Sequence, residues 1–188
     1  MGMDVYGLNP IIKEGTSKPE MPDFNQLPDE DRQAYFNAVD DYERENPGVY
    51  FRANVWWWRP LWMYITDICE GVLSEEDIEM GHSNSGYEYS ADVCKVIEER
   101  LAMAIESNAH HMYERDYQKL LDELEQVECK HCNGTGTGTR NDKFVQGECN
   151  VCHGTGKTDD WRKSYPFAAE VVEDFHKFVK NSGGFKIC

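Results

Sequence analysis

The chain has 188 residues and a mass of 21.8 kDa, which suits one domain or one domain with a small appended module. Its 35 acidic and 19 basic residues give a formal net charge of −16, which argues against direct binding to nucleic-acid phosphates. No run of eighteen apolar residues occurs and no signal segment begins the chain, so we expect a cytoplasmic protein without a membrane partner. Seven cysteines, an odd number, fit a reducing compartment better than a disulfide framework.

The first 48 residues are predicted to form a short extended segment, a coil and a helix. Residues 1–9 have extended character, and residues 10–28 carry four prolines, which indicate a coil along the surface. A helix is expected over 28–46, with Pro47 and Gly48 ending it. Its apolar face comprises Ala34, Tyr35, Ala38, Val39 and Tyr42, and the opposite face includes Asp31, Asp40, Asp41, Glu43 and Glu45. Such a face is typical of a solvated surface, with an acidic docking surface or nucleic-acid mimic as the alternative.

Four of the five tryptophans fall within seven residues, at positions 56–62. We expect a strand over 50–58 and then a helix that begins at Pro60 and runs to about residue 70. Three consecutive tryptophans cannot all face one way, so at least one ring needs a second buried surface or lies in a cleft. One interpretation is a nucleus of core packing, with Arg59 paired to a carboxylate such as Asp67 or Glu70. The other is an aromatic pocket with one fixed cation.

A polar loop at 82–87 would supply further binding groups to such a pocket. It follows a short helix that a capping box at Ser74 begins and Gly81 ends. Small polar residues of this kind most often form a turn. If the loop instead lies over the tryptophans, it would help to bind a flat anion such as a nucleotide. The candidate ligand-binding residues are then Trp56, Trp57, Trp58, Arg59, Trp62, His82 and Asn84.

Two helical patterns lie on either side of the cysteine-containing segment 129–158. The first runs from Ser90 to about residue 127, with a break predicted near residues 107–108. His110 and His111 follow the break, and because adjacent helical residues point about 100° apart they have poor geometry for shared metal ligation. The second pattern predicts a single helix over 166–181. A short terminal strand then pairs with residues 5–6 or with the 50–58 strand.

An eight-residue phrase occurs twice between positions 129 and 156. Cys-Lys-His-Cys-Asn-Gly-Thr-Gly is followed by Cys-Asn-Val-Cys-His-Gly-Thr-Gly, so each copy reads C-x-x-C-x-G-T-G. Two cysteines three positions apart can bind one metal ion from a single turn, and the sixteen residues between the pairs let the chain fold back. The spacing predicts one structural zinc ion, bound by Cys129, Cys132, Cys149 and Cys152. Four cysteines close the coordination shell and leave no position for a catalytic water.

These repeats resemble the C-x-x-C-x-G-x-G repeats of the DnaJ-type zinc-binding domain, over about 28 residues of this chain. That family has four repeats and two zinc ions, whereas this sequence has two repeats, enough for one ion. The resemblance implies zinc ligation. It does not imply chaperone function, because the sequence has no His-Pro-Asp motif of a J-domain.

Two competing uses of this segment are weaker. Thiol-disulfide chemistry also uses C-x-x-C, but two pairs in phase with glycines favour a metal. The Gly154-Thr155-Gly156-Lys157-Thr158 stretch ends like a phosphate-binding loop, yet Val151 stands where that motif needs its first glycine.

A second resemblance spans nearly the whole chain. The opening Met-Asp-Val-Tyr-Gly, the stretch Tyr-Phe-Arg-Ala-Asn-Val-Trp-Trp-Trp-Arg-Pro-Leu-Trp, the Gly-His-Ser-Asn loop and the closing Asn-Ser-Gly-Gly-Phe resemble a family of uncharacterised bacteriophage and bacterial proteins. The resemblance implies a viral accessory protein that acts on host machinery in the bacterial cytoplasm. It brings no established activity with it.

We therefore expect an α+β fold that is predominantly helical, with helices around a small sheet and an inserted zinc-bound β-hairpin. Residues 1–128 form the body with the tryptophan-rich segment, 129–158 the zinc hairpin, and 159–188 a helix and strand that return to the body. The favoured function is a non-enzymatic, zinc-stabilised protein that binds or inhibits a host or cellular protein. The alternatives are a small-ligand binding protein or enzyme at the tryptophan cleft, and a DnaJ-like holdase or thiol oxidoreductase. Nucleic-acid contact is expected only through the hairpin.

Overall fold

The structure, a computed structural model, describes residues 2–25, 27–139 and 146–188. Its helices are α1 (Asp29–Glu45), α2 (Val55–Ile68), α3 (Glu75–Met80), α4 (Ala91–Glu106), α5 (Ala109–Asp122) and α6 (Ala169–Ser182). Its strands are β1 (Gly2–Gly7), β2 (Tyr50–Asn54), β3 (Tyr87–Tyr89), β4 (Val127–Glu128), β5 (Thr137–Thr139), β6 (Gln146–Glu148), β7 (Lys157–Thr158) and β8 (Phe185–Ile187). This confirms the predicted, predominantly helical α+β fold.

Internal contacts divide the chain into two compact units. The first unit consists of Met1–Met112 together with Phe167–Cys188, and the second of Tyr113–Pro166. The second unit contains the segment 129–158 that the sequence marks as the metal-binding hairpin. No helix in the described residues is both long enough and apolar enough to cross a membrane.

A four-stranded antiparallel sheet organises the first unit. Its strand order is β2-β1-β8-β3, so the terminal strand β8 lies between β1 and β3. Val5 pairs with Phe51 on one side and with Ile187 on the other. Of the two partners predicted for the C-terminal strand, residues 5–6 and the 50–58 strand, the structure shows pairing with residues 5–6. The pairing of β8 with β3 was not predicted, because three residues of strand at 87–89 give little periodic signal.

The tryptophan-rich segment begins a helix earlier than the sequence suggested. The predicted strand over 50–58 ends at Asn54, and α2 follows at once. The side chain of Asn54 accepts hydrogen bonds from the backbone N–H groups of Trp56 (3.0 Å) and Trp57 (3.2 Å), which caps the helix. Pro60 consequently lies inside α2 rather than at its start. The prediction of the helix start was wrong because aromatic and β-branched content outweighed a capping asparagine.

The core of the first unit is aromatic. Trp58 and Trp62 are both fully buried, with stacked rings 5.8 Å apart between centroids. Their indole N–H groups donate to the backbone oxygens of Gly81 (2.7 Å) and Ile78 (3.0 Å), so the polar edge of each ring is satisfied. The other large side chains that are fully buried are Tyr89, Phe175, Phe178 and Phe185, with Leu61, Ile65, Ile97, Leu101, Ile187 and Val5.

The predicted helix boundaries in this unit are set by caps and turns. The capping box at Ser74 is present, with Asp77 as its acidic partner. The helical pattern after Ser90 breaks where expected, because Asn108 adopts φ 60 between α4 and α5. Asparagine tolerates that left-handed conformation better than most residues. The C-terminal helix α6 ends at Gly183, which has φ 59.

Helix α1 forms as predicted, but it buries none of its residues. On its predicted apolar face, Tyr35, Val39 and Tyr42 are only half-buried. Phe24, from the preceding coil, stacks on Phe36 with ring centroids 5.6 Å apart, and Phe36 is itself half exposed. The helix therefore has a small aromatic cluster of its own rather than a place in the main core.

Candidate metal centre

Four buried thiols form a compact cluster of metal-ligand side chains in the second unit. Cys129 and Cys149 have no exposed surface, and Cys132 and Cys152 have almost none. The Sγ atoms of Cys129 and Cys149 are 3.9 Å apart, those of Cys132 and Cys152 are 3.7 Å apart, and all four lie within 4.8 Å of one another. Thiolates around a tetrahedral ion at about 2.3 Å are about 3.8 Å apart, so this arrangement can hold a metal ion.

The two C-x-x-C turns have the same hydrogen bonds. The backbone N–H of Thr135 donates to the carbonyl of Cys132 (3.1 Å), and its hydroxyl donates to the same oxygen (2.7 Å). Thr155 makes the same two bonds to the carbonyl of Cys152, at 3.1 and 2.7 Å. The threonine of each repeat therefore closes the turn that presents the second thiol of each pair.

Each repeat is also joined to the other through its backbone. The N–H of Cys129 donates to the carbonyl of Gly156 (2.9 Å), and the N–H of Cys149 donates to the carbonyl of Gly136 (2.8 Å). Strand β4, which enters the first repeat, pairs with β7, which leaves the second. Strand β5 leaves the first repeat and pairs with β6, which enters the second. Each repeat therefore makes the same backbone hydrogen bonds and strand pairing to the other. These contacts bring the four thiols of the two turns together.

The second glycine of each repeat is required for this approach. Gly136 and Gly156 adopt φ 73 and φ 75, a conformation that other residues rarely take. A Cβ on Gly136 would lie 2.3 Å from the carbonyl oxygen of Gly154, and a Cβ on Gly156 would lie 2.3 Å from that of Gly134. Any side chain at either position would push the two repeats apart.

Backbone N–H groups donate hydrogen bonds to the thiols. Gly136 donates to the sulfur of Cys132 and Gly156 to that of Cys152, both at 3.3 Å. The backbone N–H of Cys152 lowers the pKa of the Cys149 thiol to about 6, whereas burial raises the pKa of the neighbouring Cys129 thiol to about 11. Because a thiolate is the form that binds a metal, Cys149 is the thiol of this cluster that ionises most readily for a cation.

The tryptophans proposed as ligand-binding residues do not share one environment. Trp58 and Trp62 belong to the core, as described above. Trp57 is half-buried, and Trp56 is 45% exposed at the start of α2. The faces of the two buried rings are covered by protein, which favours the core-packing interpretation for this pair.

The polar residues of the candidate ligand site are Arg59, His82 and Asn84. Partial burial of the His82 imidazole lowers its pKa, and the charge of Arg59, which is exposed on α2, lowers that pKa further. Asn84 is exposed and donates from its side chain to the carbonyl of Gly2 (3.0 Å). Arg59 and His82 are therefore neighbours, whereas Asn84 contributes to the start of β1. Ligand binding at this group of residues stays a prediction.

A second group of possible metal ligands was not found from the sequence. His110, His111 and Glu173 offer three ligand atoms within 4.8 Å of one another. Glu173 is 63 residues from His110 and is one of three carboxylates on α6, so no local motif marks it. Only the packing of the first unit brings these side chains together.

No protein-family model, curated protein or solved structure matches this chain. The chemistry of the metal centre is therefore inferred from its four thiols and their geometry.

Changing Gly136 to Ala is expected to weaken metal binding by at least about 100-fold. The left-handed backbone and the contact with the Gly154 carbonyl together cost about 3 kcal/mol or more. The matched control is Gly138→Ala, whose Cβ would make only ordinary contacts, the nearest at 3.4 Å from Cys149 Cα. Competition titrations with a zinc chelator would give both affinities. The control is expected to stay within about threefold of wild type, and equal losses in the two variants would contradict this role of Gly136.

Proposed function

We propose that this chain is a non-enzymatic binding protein whose second unit is held together by one structural zinc ion. The observation that carries the proposal is the set of four buried thiols whose sulfur atoms all lie within 4.8 Å of one another. Such a set satisfies zinc completely and leaves no position for a water or a substrate, which is typical of structural sites. The ion then acts by maintaining a surface rather than by taking part in a reaction.

Helix α1 is the docking surface that we assign to the first unit. Its 17 residues include seven carboxylates and two arginines, and none of them is buried. Phe36 adds an exposed aromatic ring to this acidic surface. Charge complementarity favours a protein partner with a basic surface, because opposite potentials raise association rates and suppress wrong partners. With a chain charge of −16, a nucleic acid is a poor alternative.

The partner that we propose is a protein of the host or cell in which the chain acts. The resemblance of the sequence to bacteriophage proteins is consistent with a host target and with a cytoplasmic location. A DnaJ-like holdase or thiol oxidoreductase is less well supported, because the four thiols are buried whereas clients and redox partners need access. The small-ligand alternative is weakened by the burial of Trp58 and Trp62.

Reversing charges on α1 is expected to abolish partner binding. Asp31→Lys with Asp40→Lys changes two exposed positions of this helix. Glu99→Lys with Glu106→Lys on α4 changes the net charge equally at two other exposed positions and serves as the matched control. Pull-downs from a bacterial lysate at low and moderate salt would compare both variants with wild type.

We expect one stoichiometric protein with a basic surface, retained by wild type and the control and lost from the α1 variant. Binding should weaken as salt increases, because exposed charges are screened. A partner retained equally by both variants would contradict the assignment to α1. A small molecule recovered with the protein, and no partner protein, would contradict the proposed function and favour the tryptophan region.

A further inference from the structure

His110 is a buried histidine with an oxygen atom at each ring nitrogen. It lies in the first turn of α5 and is 2% exposed. Its Nδ1 is 3.3 Å from the backbone oxygen of Ala104, and its Nε2 is 3.3 Å from Oε1 of Glu173. His111 also turns toward this carboxylate, with its Nε2 4.0 Å from the same oxygen. The two imidazole rings are 4.3 Å apart between centroids.

The Ala104 contact determines what His110 can offer to Glu173. A backbone carbonyl can only accept a hydrogen bond, so Nδ1 of His110 carries the proton. A neutral ring then presents the lone pair of Nε2 to a carboxylate oxygen, which is repulsive unless a cation lies between them. That cation is either a second proton on His110 or a metal ion. The Nε2 atom of His111 lies 4.0 Å from the same Glu173 oxygen, so a metal ion at this point would take ligands from all three side chains.

We propose that His110, His111 and Glu173 bind one divalent transition-metal ion, separate from the ion of the four-cysteine cluster. Metal bonds of about 2.1 Å place neighbouring nitrogen and oxygen ligands about 3.0 to 3.4 Å apart at right or tetrahedral angles. The His110–Glu173 separation of 3.3 Å fits this range. The His111–Glu173 separation of 4.0 Å is about 0.6 Å longer than the upper end of this range, and the His111 side chain, which would have to move closer, is half exposed.

The surroundings of His110 match those of a metal-binding histidine. Such histidines usually donate their second ring N–H to a backbone carbonyl or carboxylate, which fixes the tautomer and the ring orientation. The Ala104 carbonyl occupies that place here. Two imidazoles and one carboxylate suit Zn²⁺, Co²⁺ or Ni²⁺ and disfavour Mg²⁺ and Ca²⁺, which prefer oxygen ligands.

This site differs from the four-cysteine cluster in its access to solvent. The side chains of His111 and Glu173 are 49% and 41% exposed, whereas the four thiols are buried. Three protein ligands leave at least one coordination position for water. We therefore expect an ion that exchanges more readily and binds more weakly than the ion held by the four cysteines.

Adjacent residues on a helix were expected to diverge too much for shared ligation. The structure shows how the two histidines nevertheless converge on one carboxylate. They follow the left-handed turn at Asn108, and their rings are tilted by 40° to each other at close distance. The long imidazole side chains compensate for the divergence of their Cα–Cβ bonds.

Metal counting by native mass spectrometry tests this inference. The wild-type protein is expected to take up two zinc ions, one at each site. His111→Ala and Glu173→Gln change half-exposed side chains, and each should weaken the second ion by at least about 100-fold and leave the first in place. His176→Ala is the matched control, because His176 also contacts a carboxylate, Oε1 of Glu98 at 3.2 Å, but joins no group of three ligands among the described residues. It should retain both ions.

Cobalt absorption identifies which ligands each ion uses. The first equivalent of Co²⁺ should give intense thiolate-to-cobalt charge-transfer bands, and the second should add only weaker ligand-field bands. Cys149→Ser should lose the charge-transfer bands and keep the second signal, so the two metal assignments can fail independently. The inference is overturned if the wild type at saturating Co²⁺ shows thiolate-to-cobalt charge-transfer bands and no further ligand-field signal. It is also overturned if both His111→Ala and Glu173→Gln retain the second ion at wild-type affinity.

Discussion

Cys149→Ser is expected to abolish zinc binding at the four-cysteine cluster. It should also unfold the two small sheets of the second unit, β4 with β7 and β5 with β6. Among the described residues of that segment, the buried hydrophobic cluster consists of the four cysteines themselves, so no apolar core replaces a lost ion. Structural zinc sites contribute about 10 to 16 kcal/mol of apparent binding free energy, and this energy is folding energy where no core exists without the metal. Removing zinc with a chelator should have the same effect as the substitution.

The measurement is zinc stoichiometry together with the amide NMR spectrum or limited proteolysis. The amide signals of strands β4 to β7 should lose their chemical-shift dispersion, or these strands should become sensitive to protease. The four-stranded sheet of the first unit should be unchanged. Cys188→Ser is the matched control, because Cys188 is a half-exposed cysteine outside the cluster. A Cys149→Ser protein that still binds zinc through the other three thiols with unchanged affinity would contradict the four-ligand assignment.

Trp62→Ala is expected to destabilise the first unit by about 3 to 5 kcal/mol, the usual cost of truncating a buried tryptophan. The ring is fully buried, stacks on Trp58, and has an edge-to-face contact with Tyr89 at 5.4 Å between centroids. Gly81 lies so close that a Cβ there would be 1.9 Å from the indole, which shows how tightly the ring is enclosed. The substitution also leaves the Ile78 carbonyl without its indole donor.

Trp56→Ala is the matched control, since the same residue type at the start of the same helix is 45% exposed. Urea unfolding should show a loss below about 1 kcal/mol for this variant. The comparison separates the two interpretations of the tryptophan-rich segment. Equal stability of Trp62→Ala and wild type, together with ligand-dependent quenching of tryptophan fluorescence, would contradict core packing and support a ligand site.

The features that sequence predicted well are those set by residues close together in the chain. The Ser74 capping box, the break at Asn108 and the turn at Gly183 each depend on one or two residues, and all were found. The four thiols were predicted because the C-x-x-C pairs and their glycines repeat in phase. Local signals competed at Asn54, where the cap determined the start of α2 and the aromatic content misled.

The features that sequence could not predict depend on long-range packing. Nothing local distinguishes Trp58, which is buried, from Trp56, which is half exposed, because the direction of each ring depends on where α2 begins. The place of β8 between β1 and β3 depends on sheet topology. Glu173 reaches His110 only because α6 packs near the first turn of α5.

The central claim, that four thiols hold one zinc ion, is tested most directly by X-ray absorption at the zinc edge. The measurement uses protein loaded with a single equivalent, so that the tighter site is filled first. We predict four sulfur ligands at about 2.3 Å and no nitrogen or oxygen bound directly to the metal. A set of nitrogen and oxygen ligands at about 2.0 to 2.1 Å would show that the first ion binds elsewhere and would contradict the claim.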